Sequence, residues 1–397
     1  MSDNLFNIDD LLNNALKREE LKDLFDKKLL ELKLNKTNVQ AILGISYRTL
    51  DGILDGTQKL VDVTNLVKLS DFLQIPKEKV FQLYLDSLQK KFHTSNSSPQ
   101  KIKYIKDNFN LPVLKKAGLI HSLTNFDHIE KRINARLGFK SIYEYKKPNV
   151  DVAFSSGLFK PKNLDTRLFW IRTAICTFEE LDNPHEYKRE ALIKYFPQIR
   201  WHTLNEERGL SEVIKALYKI GITVIYQPPL QGLQLRGATF NINNKPCIVL
   251  TNYQNYYSTL WFCLLHELYH ILFDLDDIKN NSYHLTDDDN EELTVQEREK
   301  YADDFARGYL FSSEKLAAVK SYMNDPIYLQ EIANENHVHR SIIYAFNAFT
   351  SKDRKAWARA KRYSPPVEKT VRDIDYSWAE ERPFEEMISE QKQLTYN

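Results

Sequence analysis

Cysteine is scarce in this chain. Cys176, Cys247 and Cys263 are the only three in 397 residues, and they are odd in number, far apart and never arranged as CxxC. That excludes a disulfide framework and a cysteine-built zinc site, and it points to a reducing, cytoplasmic setting. Long hydrophobic runs are also missing. The longest, Trp261 to Phe273, is interrupted by His266, Glu267 and His270, so it is too short and too polar to span a bilayer. The first ten residues hold three acids and no basic stretch ahead of an apolar one, and no secretory signal is expected. Net charge is nearly absent, at +1 from 55 Lys+Arg and 54 Asp+Glu, and by itself implies no partner. What remains is the composition of a globular protein, 42% hydrophobic and 27% charged. Its length suits roughly two to three domains.

The charge is segregated along the chain. Leu88 to Lys147 carries thirteen Lys/Arg against four Asp/Glu, and Asp274 to Asp304 carries three against twelve. Such blocks mark either interaction surfaces or solvated faces of opposite sign. The acidic block includes Asp287, Asp288, Asp289, Glu291 and Glu292, which reads as a solvated loop.

Apolar residues from Leu21 to Phe92 recur at helical spacing in short runs. Thr37 to Gln40 fits a capping box, Gly44 and Gly56 are helix stops, and Ser46 is a helix cap. The polar stretch His93 to Gln100 reads as a linker. Lys101 to Tyr145 reads as a basic helical connector, and Lys147 to Asp165, with Pro148, Gly157 and Pro161, as irregular. Beyond Thr166 the pattern turns mixed. Helical spacing over Ser211 to Ile220 stops at Gly221. Ile222 to Tyr226, Gly237 to Asn241 and Cys247 to Leu250 read as strands, with Asn243-Asn244 turning between the last two. Helices follow at Ser258 to Phe273, Gln296 to Leu310 and Tyr328 to Ala348, and the charged, Pro-containing tail after Tyr363 reads as loosely held.

The chemistry lies in His266-Glu267-Leu268-Tyr269-His270. Residues i and i+4 share one face of a helix, so both imidazoles can bind one Zn2+. Glu267 then stands where a general base is needed. Chance would produce HExxH in roughly one or two chains per hundred of this length and composition. The motif also sits among Leu260, Trp261, Phe262, Leu264, Leu265, Leu268, Ile271 and Leu272, and a buried helix needs a reason for three polar side chains. The bland alternative is a helix whose histidines are merely hydrogen-bonded. Glu299 is the expected third ligand, ahead of Glu292 and Glu297, and Asp303, one turn further on, is the expected acceptor for a ligand histidine's free N–H. His337 and His339 read as surface residues. Tyr283, Tyr301 and Tyr309 are the available oxyanion donors, none favoured.

HExxH followed by ExxxD resembles the gluzincin metallopeptidases. A β-rich stretch, the apolar HExxH helix and Glu299-Lys-Tyr-Ala-Asp-Asp-Phe-Ala306 together resemble the ImmA/IrrE family over roughly Leu210 to Leu316. That family's Met-Pro after the second helix is absent at Leu310 to Ser313, and Tyr269 replaces its usual Gly. The resemblance implies a zincin-like α+β domain whose substrate is a protein, typically a transcriptional repressor.

Asn38 to Gly56 has the layout of a helix-turn-helix, and Leu29 to Leu85 resembles the Cro/repressor-like XRE family. The second helix would enter the major groove of an operator duplex. Tyr47, Arg48 and Thr49 are then the candidates for contact with DNA bases or phosphates, and Gln40, Lys36 and Lys59 suit phosphates. Regulators of this kind commonly act as homodimers.

The expectation is an α+β chain. It comprises an all-α helix-turn-helix domain at 20–92, a basic helical connector at 100–160, a zincin-like peptidase domain at 165–350 and a charged tail at 351–397. The expected function is a DNA-binding regulator with zinc-dependent endopeptidase activity on a repressor or partner protein, with no membrane association. Two alternatives stand beside it. One is a non-catalytic transcription factor or antitoxin that uses the peptidase fold as a metal or ligand sensor. The other is a peptidase whose N-terminal helices hold a protein partner.

Overall fold

A computed structural model of the chain describes residues 20–58, 60–91, 98–147, 163–233, 235–278, 282–287, 293–351 and 353–396. The chain divides into two compact units, Met1–Asn96 and Ser97–Asn397. Each has its own hydrophobic core.

Among the described residues the first unit has five helices: α1 (Leu21–Leu32), α2 (Lys36–Leu43), α3 (Tyr47–Leu54), α4 (Val63–Leu73) and α5 (Lys77–Lys91). Local chemistry sets their ends. The cap of α2 is Asn35, whose side chain accepts from the Asn38 N–H at 2.8 Å while Asn38 reaches back to the Asn35 N–H. The capping box therefore starts two residues before the expected Thr37, because the chain already reverses at Lys33 (φ 54°). Gly44, at φ 61°, ends α2 in the left-handed region, and the Ser46 side chain accepts from the Thr49 N–H as expected. Phe25, Val39, Leu50, Ile53, Leu69 and Val80 close the core.

The second unit is α+β. In order, its elements are α6 (Pro99–Asn108), α7 (Leu111–Lys116), α8 (Phe126–Leu137), α9 (Leu164–Leu181), α10 (Arg189–Tyr195), α11 (Gly209–Lys219), β1 (Thr223–Tyr226), β2 (Leu235–Ile242), β3 (Lys245–Leu250), α12 (Tyr257–Phe273), β4 (Ser282–Asp287), α13 (Leu293–Phe311), α14 (Ser313–Val319), α15 (Pro326–Glu335), α16 (Arg340–Ser351), α17 (Arg354–Tyr363), α18 (Val367–Val371) and α19 (Phe384–Gln391). The sheet runs β1-β3-β2-β4, with β1 parallel to β3 and β2 antiparallel to both neighbours. Asn243 and Asn244, both at positive φ, make the tight β2–β3 turn. Strand β4 was not expected, although Tyr283 and Leu285 alternate with polar residues there. Asp288, Asp289, Glu291 and Glu292 lie outside the described residues, as does most of 147–165. No helix among the described residues is long and apolar enough to cross a membrane.

Two expected boundaries are corrected. The basic segment after residue 100 is not a separate connector: Ile105, Phe109, Leu114, Ile129 and Ile133 belong to the same core as the sheet. Nor is the tail loosely held. Trp378, Phe384, Met387, Ile388 and Tyr396 are buried, and the Tyr396 hydroxyl donates to the Val224 carbonyl at 2.6 Å. Arg132 donates to the carbonyls of Ala379 and Glu380, and the Arg136 guanidinium lies 4.6 Å from the Trp378 ring centre. Averaged composition concealed the apolar spacing at 384, 387 and 388, whose charged neighbours face solvent.

Candidate metal centre

Helix α12 is buried along almost its whole length, and with it His266, Glu267 and His270. The i, i+4 spacing sets the two imidazoles side by side, their Nε2 atoms 3.2 Å apart. Helix α13 packs against α12 and supplies Glu299, whose Oε2 is 3.2 Å from His266 Nε2 and whose Oε1 is 3.4 Å from His270 Nε2. Glu297 is exposed, so Glu299 is the carboxylate at this point. One ligand atom from each of His266, His270 and Glu299 falls within 4.8 Å of the others, a group that could hold a metal ion.

Each imidazole is oriented from behind. His266 Nδ1 donates to Asp303 Oδ1 at 2.9 Å, the pairing expected for Asp303. His270 Nδ1 donates to Asp274 Oδ2 at 2.7 Å. Asp274 was not anticipated, although its position four residues after His270 would have found it. These bonds fix both rings with Nε2 toward the shared point, as metal-ligating histidines require. Burial opposes charge on both imidazoles, but the carboxylates outweigh it. Hydrogen bonds to Asp303 and Glu299 push His266 up to about 10, and those to Asp274 and Glu299 push His270 up to about 8. Protons and a metal ion therefore compete for the same nitrogens.

Glu267 is fully buried and held from strand β2. Its Oε2 accepts the Thr239 hydroxyl at 2.7 Å, whereas its Oε1 has no hydrogen-bond partner among the described residues. The strand backbone comes so close that a Cβ on Gly237 would stand 2.5 Å from Glu267 Oε1. A β-bulge interrupts β2 between Leu235 and Gly237. It leaves Arg236 as the extra residue and lets its guanidinium approach within 4.0 Å of Asp303 Oδ2. Gly237, Thr239 and Arg236 lie about thirty residues before Glu267, and nothing local in the sequence links them to it.

Tyr269 packs between aromatic rings, 4.7 Å from Phe273, 5.4 Å from Phe305 and 5.8 Å from His270. The Tyr309 hydroxyl donates to the Phe196 carbonyl at 2.6 Å, and Tyr301 is largely exposed. His339 is not a surface residue. Its Nδ1 lies 2.7 Å from Ser341 Oγ and its Nε2 3.2 Å from Glu206, and burial lowers its pKa against the pull of that carboxylate. All three cysteines are buried, and burial pushes their thiols up, out of the range of a reactive thiolate.

In the first unit, Tyr47 and Arg48 stand exposed at the start of α3, and Thr49 is half-buried with its hydroxyl 2.8 Å from Ser46 Oγ. Gln40 is half-buried on α2. Lys36 reaches Asp51 at 3.4 Å. Lys59 lies outside the described residues. Compared with models of protein families, with curated proteins and with solved structures, the chain matches none.

Proposed function

We propose that this chain is a DNA-binding regulator carrying a zinc-dependent endopeptidase of the ImmA/IrrE type. Its XRE-like first unit would bind an operator duplex, and its second would cleave a repressor or other partner protein. The observation that carries the peptidase reading is the convergence of His266 Nε2, His270 Nε2 and Glu299 beside a buried carboxylate oxygen, Glu267 Oε1, that has no hydrogen-bond partner among the described residues. A buried unpartnered carboxylate oxygen is costly, and it suits a group that must take up a proton.

The donor set fits zinc: His266 and His270 would offer two imidazole nitrogens and Glu299 a carboxylate, the ligand types zinc accepts. Zinc held there supplies Lewis acidity toward water and toward a peptide carbonyl. Glu267 Oε1 accepts a proton from the attacking water as its oxygen bonds to the carbonyl carbon. It then delivers that proton to the amide nitrogen as the C–N bond breaks. Thr239 holds the other carboxylate oxygen in place. Asp303 and Asp274 hold the histidines. In the first unit, the Lys36–Asp51 pair offsets the acid on the helix that would face DNA, and exposed Arg48 suits bidentate contact with guanine.

The test is metal analysis and proteolysis on the wild type, His266→Ala and Glu267→Gln. The expected result is one zinc per chain, lost in His266→Ala and kept in Glu267→Gln, with cleavage of itself or of nearby-encoded repressors by the wild type alone. A wild type without zinc overturns the reading. Stoichiometric zinc with no cleavage moves it to a metal sensor.

A further inference from the structure

Helix α17 carries Arg354, Lys355, Arg359, Lys361 and Arg362 and no acid. Its two faces have different uses. Ala356 and Ala360 are buried, and Trp357 packs on Phe349 and Tyr256. Arg359 is held by Asn324 and the Met323 carbonyl. The other face presents Arg354, Lys355, Ala358, Lys361 and Arg362, all exposed. Their spacing of i, i+1, i+4, i+7 and i+8 places them in one stripe. None of the four cations has a carboxylate partner among the described residues. Asp353, just before the helix, has its carboxylate engaged by the Lys355 N–H. At the far end Arg340 and Arg362 both lie over the Tyr363 ring, 4.9 and 5.7 Å from its centre, which adds a fifth cation.

We infer that this stripe is a phosphate-backbone contact for nucleic acid, on the second unit and separate from the helix-turn-helix-like first unit. Four cations on one rigid face, with no carboxylate partner among the described residues, are repelled by one another and matched by a regular polyanion. Seven residues of helix advance about 10.5 Å, over which one strand of a duplex carries roughly three phosphates. The exposed face has no apolar side chain larger than Ala358, so it lacks the apolar surface a membrane-binding helix inserts. It also lacks the aromatic anchors that hold a protein partner. The small Ala358 at the centre lets a backbone approach closely. Contacts of this kind carry no sequence preference.

The test uses the full chain and a fluorescein-labelled duplex of random sequence, with anisotropy read between 50 and 300 mM KCl. Two pairs, each removing two positive charges, are compared: Arg354→Gln with Lys355→Gln, and Lys361→Gln with Arg362→Gln. Gln keeps the helix propensity of the originals. Each pair is expected to lower the slope of log K against log salt by about 1.8, and both together by about 3.6, weakening binding by up to roughly 4,000-fold at 0.1 M salt. A control lacking exposed Lys194 and Lys219 keeps the wild-type slope. The inference fails if the quadruple variant keeps that slope, or if the wild type binds no duplex at 50 mM. It fails equally if phosphatidylserine vesicles are bound in place of DNA, or if polyglutamate displaces the duplex as well as unlabelled DNA does.

Discussion

A methyl group on Gly237 tests the site without knowledge of a substrate. In Gly237→Ala the new Cβ would sit 2.5 Å from Glu267 Oε1 and 3.1 Å from its Cδ and Cγ, whereas real Cβ atoms essentially never come within 3.0 Å of another atom. Glu267 is fully buried and tied to Thr239, so either the carboxylate or strand β2 must move by about half an ångström or more. Overpacking of this kind costs about 1–3 kcal/mol. A double-mutant cycle assigns that cost. In a Glu267→Ala background the methyl meets the space the carboxylate occupied, and Gly237→Ala should then cost little, giving a coupling of about 1–3 kcal/mol. The assay is urea unfolding of the EDTA-treated chain followed by tryptophan fluorescence. All five tryptophans lie beyond residue 97, so the signal reports the second unit alone. Additivity within about 0.5 kcal/mol would show that Gly237 and Glu267 do not meet, and the account of Glu267 as a clamped base would go with it. If the proposed zinc site is loaded and a substrate is in hand, Gly237→Ala should keep its metal and lose kcat/KM, by up to about a hundred-fold if the carboxylate is displaced by a full ångström.

Other outcomes follow from the same geometry. Asp274→Asn and Asp303→Asn should each weaken zinc about 10- to 100-fold, measured against a chelating indicator, because each removes the carboxylate behind a ligand ring. Both histidines sit above their ordinary 6.5, at about 10 and about 8. Their charged pairs therefore stabilise the metal-free pocket below pH 6.5, and that contribution fades as pH rises through about 8 and then about 10. Zinc affinity has the opposite sign. It should fall as pH drops, with release of about one to two protons per zinc at pH 7, read by calorimetry in buffers of different ionisation enthalpy. Trp378→Ala should destabilise the second unit by about 3–5 kcal/mol in the same urea assay, because Trp378 is buried in its core. Little change there would mean that the tail is peripheral.

The candidate metal centre was legible where its parts are local or periodic. His266 and His270 share a helix face by arithmetic, and Glu299 with Asp303 repeats that arithmetic one helix later. The first unit's helices were legible for the same reason, since Gly44 and Ser46 punctuate them. Contributions from distant segments were not legible. Thr239, Gly237 and Arg236 reach Glu267 and Asp303 only because strand β2 runs beside helix α12, and no local pattern encodes that adjacency. The tail was misread because net polarity says nothing about which side chains turn inward: three apolar residues in one face of α19 outweigh the charges around them. Strand β4 was missed because the acids around it dominated its alternation.

The pairing of Arg132 and Arg136 with carbonyls of residues 376–380 joins segments more than 230 residues apart. Synthesis runs from the N-terminus, so His266, His270 and Glu299 have all been made well before the segment that closes the core around α8 and α9. The second unit is therefore a late-closing ring: its long-range contacts are reached only after a large loop-closure cost, which is a slow step for any chain. Refolding should accordingly lag in the core while helices α12 and α13 already exist.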